Sequence, residues 1–364
     1  VNKSLLAAAL VAACVEPVDV PDLPPCERLG VLCVVAGVPG EAGLGEDGVA
    51  ATATRLYLPQ DVTVARDGTW WIADYNNHVI REVGGDGAAH LVAGSGFPGG
   101  GQGGPALAEP MDHPTMVLPD PVDPDVLWIA ATGNHRVGRL SRADGVISFP
   151  YGTGEAAFAG DGGPASRASF HRPSSVAFDR DGAMLVSDRM NQVVRRIGVD
   201  GTVTTVVGTP LVSGYAGDGG PASEALLNAP ADTEMDPGNR LDLRDDRLAL
   251  ADSGNGAVRV VDLREGTITT ALDGLDRPHD VAIGADGTIY VADTGAACVR
   301  ALSPSGEAVV VAGRCGEPGA ATAEVDAMDA TLDYPCGVFV DERGFLWIAD
   351  THNHVVRRVR VGAL

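Results

Sequence analysis

The 364-residue sequence is short of positive charge: 26 Lys and Arg stand against 49 Asp and Glu, a formal net charge of -23. Tracking a phosphate backbone requires a cationic stripe that displaces counterions, so nucleic acid is not an expected partner. An anionic membrane surface is disfavoured for the same reason. A cationic partner or a metal ion stays electrostatically compatible, although negative charge also serves solubility alone. No two cysteines have CxxC spacing, which removes a zinc-ribbon reading. The apolar run from Leu5 to Ala13 is too short to span a bilayer. No Ser/His/Asp arrangement stands apart from the rest of the chain. The Gly-rich stretch from Gly99 to Gly104 is followed by no helix pattern that would make it a phosphate cradle.

What the chain does contain begins with Lys3, the apolar run, and then Val11-Ala12-Ala13-Cys14. Small residues before a cysteine resemble the lipobox of bacterial lipoproteins. The resemblance implies a lipoprotein-type signal peptide over residues 1–13, cleavage before Cys14 and lipid attachment to its sulfur. Residues 14–25, rich in Pro and Asp, read as an extended tether. The expected location is extracytoplasmic: lipid-anchored in a bacterial envelope, periplasmic or at the cell surface, or secreted. Membrane contact is then through the lipid alone. Six cysteines fit an oxidising compartment. Cys26 with Cys33, and Cys315 with Cys336, are candidate bridges, and sequence does not decide the pairing.

Self-similarity dominates the remainder. An apolar strand, an Asp, a short polar turn and a Val-Arg strand recur. The phrase runs from Trp70 through Asp74, Asn77-His78 and Arg81, and from Leu185 through Asp188 to Arg195. It returns around Asp252 and Arg259, around Asp293 and Arg300, and from Leu346 through Asp350 and Asn353-His354 to Arg357. A weaker copy around Trp128 and Asn134-His135 has lost the Asp. Upstream of most copies lie a Pro, a short apolar strand and an Asp-Gly hairpin signal, as at Asp67-Gly68, Asp181-Gly182 and Asp286-Gly287. Downstream lies a further β-rich run ending in Gly, such as Leu91 to Gly94 or Val309 to Gly313. Each unit therefore reads as four short antiparallel strands, and the chain as an all-β, six-bladed β-propeller over residues 26–364. The last unit stops after its third strand. An orphan strand at Val31 to Gly37 is expected to complete it and close the ring.

The Asp-x-x-Asn-His-x-Val-Arg phrase is similar to the fingerprint of NHL repeats. The links Gly160-Asp161-Gly162-Gly163-Pro164-Ala165 and Gly217 to Ala222 resemble those of secreted, teneurin-like NHL propellers. The resemblance spans about residues 31 to 362. It implies that the residues just after each blade-opening position lie near the mouth of a central channel. Those positions are Gln60-Asp61, Thr115-Met116, Ser174-Ser175, Ala231-Asp232, His279-Asp280 and Cys336-Gly337. From these, Gln60, Asp61, Thr115, Ser174, Asp232, His279, Asp280 and Cys336 are the candidate ligand-binding set. Pro278-His279 also resembles the Pro-His motif of peptidylglycine amidoglycolate lyases, whose NHL-type blades place three such His around a zinc ion. Here only His279 matches, so no metal or catalytic residue is assigned, and Zn or Ca stays a minority expectation.

Repetition argues that the Asp, Arg and Asn-His positions are structural, because a catalytic group is needed once. His352, His354 and Asp350 could imitate a metal site. Asp120, Asp123 and Asp125 could imitate a calcium loop, and Asp242, Asp245 and Asp246 invite the same caution. The expected function is a monomeric binding module for a protein, peptide or glycan. The alternative is a metal-dependent lyase or hydrolase working in the channel.

Overall fold

Short runs of β-branched and aromatic residues, punctuated by turn signals, can bury both faces only by stacking as sheets. The computed structural model describes residues 25–230, 238–321 and 324–362 and arranges them as six antiparallel sheets. Residues 1–24 lie outside this range, and with them the expected signal segment, the Cys14 lipidation and nearly all of the tether. In blade one the strands run outward from the axis as Pro59–Val64, Trp70–Asp74, Val79–Val83 and Ala88–Ala93. The innermost strands of blades two to six are Pro114–Pro119, Pro173–Phe178, Leu241–Arg244, Pro278–Ile283 and Pro335–Val340. Blades one, two and six gain a fifth, two-residue strand at the rim, at Val49–Ala50, Gly104–Pro105 and Val325–Asp326. Helical structure among the described residues is limited to three-residue 3-10 turns.

Blade six is built from both ends of this range. Val31–Ala36 lies antiparallel to Val355–Arg360, with Leu32 opposite Val359 and Val34 opposite Arg357. Val325–Asp326 covers its other side. The apolar core divides into six clusters, and each joins two neighbouring sheets. Phe345 and Trp347 of blade six, for example, pack with Val62 and Ile72 of blade one. The ring is thus closed by side-chain packing at every seam as well as by the shared sheet.

The described residues contain two disulfides: Cys26–Cys33, and Cys298–Cys315 with a Cα separation of 5.0 Å. The second corrects the candidate pairing of Cys315 with Cys336. Cys298 starts the third strand of blade five and Cys315 follows its fourth, so the hairpin register, Val299 opposite Ala312, brings them together. Cys336 is a buried thiol whose Sγ lies 3.5 Å from the Tyr334 carbonyl oxygen.

Candidate functional site

The repeated polar residues tie blades to links. The Asp74 carboxylate accepts the Tyr57 N–H at 2.8 Å, Asn77 Nδ2 at 2.8 Å and Arg81 Nε at 2.9 Å. Asp188 does the same with the His171 N–H, Asn191 and Arg195, and Asp252 with the Asn228 N–H, Asn255 and Arg259. Asp350 holds the Asp333 N–H, Asn353 and Arg357, while Asp293 holds the Asp276 N–H and Arg300. Each Asn also donates to a carbonyl of the link entering its blade, at Gly43, Ala157, Gly214 and Gly319. The His of the phrase sits in the left-handed conformation. Nδ1 of His78, His135 and His354 accepts the N–H of His113, Arg172 and Leu58, each just before the next blade's opening Pro. In blade three Gln192 Oε1 takes that role, accepting the Ala229 N–H. These bonds place all the links at the same end of the propeller.

At the axis the inner strands lie edge to edge, and their N–H groups need acceptors. Side chains supply them across each seam. Asp61 accepts the Val117 N–H, Met116 Sδ the Val176 N–H, Ser175 Oγ the Leu241 N–H and Asp280 the Val338 N–H, at 3.0 to 3.2 Å. A second ring of hydroxyls works one step away. Thr132, Ser253, Thr294 and Thr351 donate to the carbonyls of Pro173, Pro278, Pro335 and Pro59 of the following blade.

The sequence reading placed Ala231-Asp232 in this ring for blade four. They lie outside the described residues, and the register assigns the position to Asn239 and Arg240, immediately before the inner strand at Leu241. Arg240 was not anticipated, and it changes the centre. It is 1% exposed and spans the axis, donating to the carbonyls of Gln60 at 2.8 Å and Thr115 at 2.6 Å. Its guanidinium lies 3.6 Å from Asp61 and 3.4 Å from Asp280. Two carboxylates thus share one cation. Burial raises both their pKa values, Arg240 opposes the rise, and the repulsion from Asp61 helps push Asp280 up to about 7.

The remaining candidates do converge on the axis, but as a packed plug rather than an open funnel: Gln60, Thr115, Ser174, His279 and Cys336 are each at most 1% exposed. His279 meets the Tyr334 ring edge-on at 5.3 Å. Zinc does not fit this centre. The three-His set is absent, and a divalent cation on the axis would face the Arg240 guanidinium.

The other imitations of metal sites dissolve into local bonds. Asp350 is committed to Arg357 at 2.7 Å, while His352 faces Asp333 and stacks on Tyr334. Asp120 accepts the N–H groups of Val122 and Asp123 and the Trp128 indole, and Asp123 accepts the Asp125 N–H. Asp242 accepts the N–H groups of Leu243 and Ile283, and Asp245 and Asp246 pair with Arg180.

Comparison with known proteins agrees with this geometry. Residues 47–214 match the teneurin NHL domain and residues 275–302 the NHL repeat. Teneurin-m of Drosophila melanogaster is 26% identical over 340 residues, covering 85% of this chain and 12% of that protein. NHL repeat-containing protein 2 of Bos taurus is 26% identical over 345 residues, covering 86% of this chain and 40% of that protein. The chain therefore spans well under half the length of these relatives. Among solved structures, an auxiliary nutrient binding protein from Bacteroides thetaiotaomicron superposes with a TM-score of 0.64 at 12% identity, covering 90% of this chain and 75% of that one, a likeness of fold alone. Six sheets, a repeated Asp-Asn-Arg lattice and these matches together make the chain a six-bladed β-propeller of the NHL-repeat type.

Proposed function

We propose that this propeller is an extracytoplasmic binding module, and that its ligand, a protein, peptide or glycan, docks on the face formed by the inter-blade links. The observation that carries this reading is where exposed apolar surface lies. Leu44, Tyr57, Phe97, Leu211, Val212 and Tyr215 are exposed in the links, a denser group than Val122 and Val199 on hairpin turns and Val146 on an outer strand. On the axis, by contrast, Asp61, Asp280, Thr115 and Ser174 are buried and tied into inter-blade bonds. Loops carried on a rigid scaffold are where recognition residues concentrate. Large apolar and aromatic side chains there suit a partner that hides them. The two disulfides favour an oxidising compartment, and lipid attachment at Cys14 would hold the module at a bacterial envelope. The nutrient binding protein shares the scaffold only, so the ligand class rests on this chain's own surface. A lyase or hydrolase centred on the channel has no support from the plugged axis.

Binding of the purified chain to glycan arrays and displayed peptide libraries tests the reading. Saturable binding to one class is expected, weakened by Phe97→Ser or Tyr215→Ser with unchanged melting temperature. Binding that ignores link substitutions, or none to either class, counts against it.

A further inference from the structure

The seams of a propeller are internal controls for one another, and one of them departs from the pattern. At each seam the residue closing the turn after the second strand faces the two residues before the next inner strand. From blade six to one these are His354 against Tyr57-Leu58, and from two to three His135 against His171-Arg172. From four to five they are Gly256 against Asp276-Arg277, and from five to six Ala297 against Asp333-Tyr334. Between blades one and two they are His78 against Asp112-His113, and these are the only residues among those described whose ligand atoms form a metal-sized cluster, all within 4.8 Å.

The donors are held in place. His78 and His113 have φ of 56° and 50°, a left-handed backbone that fixes the direction of each Cβ. Asp112 is held through its main chain, its N–H donating to Asn134 Oδ1 at 2.8 Å and its carbonyl accepting the Gly133 N–H at 2.9 Å. Its carboxylate Oδ1 lies 2.6 Å from His113 Nδ1 and 3.9 Å from His78 Nδ1. The two imidazoles meet edge-on with centroids 4.4 Å apart. All three side chains keep access to solvent, at 11%, 32% and 26% exposure for His78, Asp112 and His113. Asp112 also lines a cleft of about 400 Å³ with Gly99, Gly100, Gly133 and Asn134.

We propose that His78, Asp112 and His113 form a binding site for a divalent transition metal ion of the Zn²⁺ class. Two imidazoles and one carboxylate suit borderline cations, whereas Ca²⁺ and Mg²⁺ prefer all-oxygen cages. Bonds of roughly 2.0–2.2 Å to each donor require that His113 and Asp112 part from their 2.6 Å contact and that His78, 3.9 Å from Asp112, closes in. An ion at His78 Nδ1 would replace its 3.2 Å hydrogen bond from the His113 N–H. Three protein donors leave a coordination position open to water or to a carboxylate or carbonyl of an incoming ligand. The site stands apart from the axis and from the Asp-Asn-Arg lattice, and it does not depend on which ligand the link face takes.

The test uses the untagged full chain, stripped with chelator and equilibrated with Zn²⁺, with bound metal read by elemental analysis and Co²⁺ substitution read by visible absorption. One ion per chain is expected. His78→Gln keeps the structural acceptor, as Gln192 does in blade three, and removes a donor. It and Asp112→Asn should weaken Zn²⁺ binding roughly tenfold or more, the scale seen when metal sites lose supporting groups. His354→Gln, the same change at the seam between blades six and one, should leave binding as in the wild type. Melting curves without metal establish that each variant folds; should Asp112→Asn not fold, His113→Gln decides in its place. Absence of a stoichiometric ion in the wild-type chain, or undiminished binding in the folded site variants, overturns the proposal.

Discussion

Blade three carries Asp188 and Arg195 in its interior, where blade two carries Ala131 and Gly138 at the matching register positions. Both charges have gone together. In blade two the Phe149 ring fills the space an arginine would need, since a Cβ on Gly138 would lie 3.2 Å from it. Asn134 Oδ1 accepts the Asp112 N–H, the bond that an Asp makes in the other blades. The difference shows that the buried ion pair is one unit. Removing a single partner strands a charge in an apolar interior, whereas removing both and packing an aromatic ring is tolerated.

The sharpest way to break this comparison is to remove one partner. Arg195→Gly should cost about 3–5 kcal/mol, read as a fall in the urea midpoint. Asp188, whose pKa burial already raises to about 7, should then take up a proton. The pair Asp188→Ala with Arg195→Gly should cost less than the two single changes added; strict additivity would show that the residues act separately. Next in size is the axis. Because burial outweighs the Arg240 charge that Asp61 and Asp280 share, their folded pKa values lie above the unfolded value near 3.8. The stability they contribute is therefore full below the unfolded value and is lost as pH rises through the folded values, about 7 for Asp280. Urea midpoints at pH 5 and pH 8 should differ in that sense, and Asp280→Asn should narrow the gap. A variant with the gap unchanged would remove Asp280 from the account. The smallest effect expected is that of His135→Gln, within about 0.5 kcal/mol, because Gln192 performs the same task one blade on. A larger loss would mean the imidazole does more than accept one N–H.

Much of this architecture could be read from the chain because repetition multiplies weak signals. One hairpin phrase is ambiguous, whereas six in register imply stacked sheets, and the strand at Val31–Ala36 stands out by its likeness to the fourth strands. Blade four was misplaced because its inner strand lacks the opening Pro. Pro230 points to Ala231-Asp232, while the alternating Leu241-Asp242-Leu243 marks the strand itself. Arg240 escaped notice because its partners, Gln60, Thr115, Asp61 and Asp280, come from three other blades, and only the closed ring brings them within reach. The Cys298–Cys315 bridge is hidden for a simpler reason: pairing follows hairpin register, whereas in the sequence Cys315 and Cys336 stand out as bracketing one inter-blade link. His78, Asp112 and His113 fell within ordinary repeat wording, so only comparison of the seams singles them out.

The sharing of blade six between Val31–Ala36 and Val355–Arg360 sets an order on how the molecule is made. The outer strand precedes blade one in the chain and its neighbour follows blades one to five, so earlier sheets must wait as an incomplete arc with an uncovered flank. A solenoid can gain stability one repeat at a time. This ring instead completes its final seam only when Val355–Arg360 meets Val31–Ala36, so its full stability arrives in one concerted step.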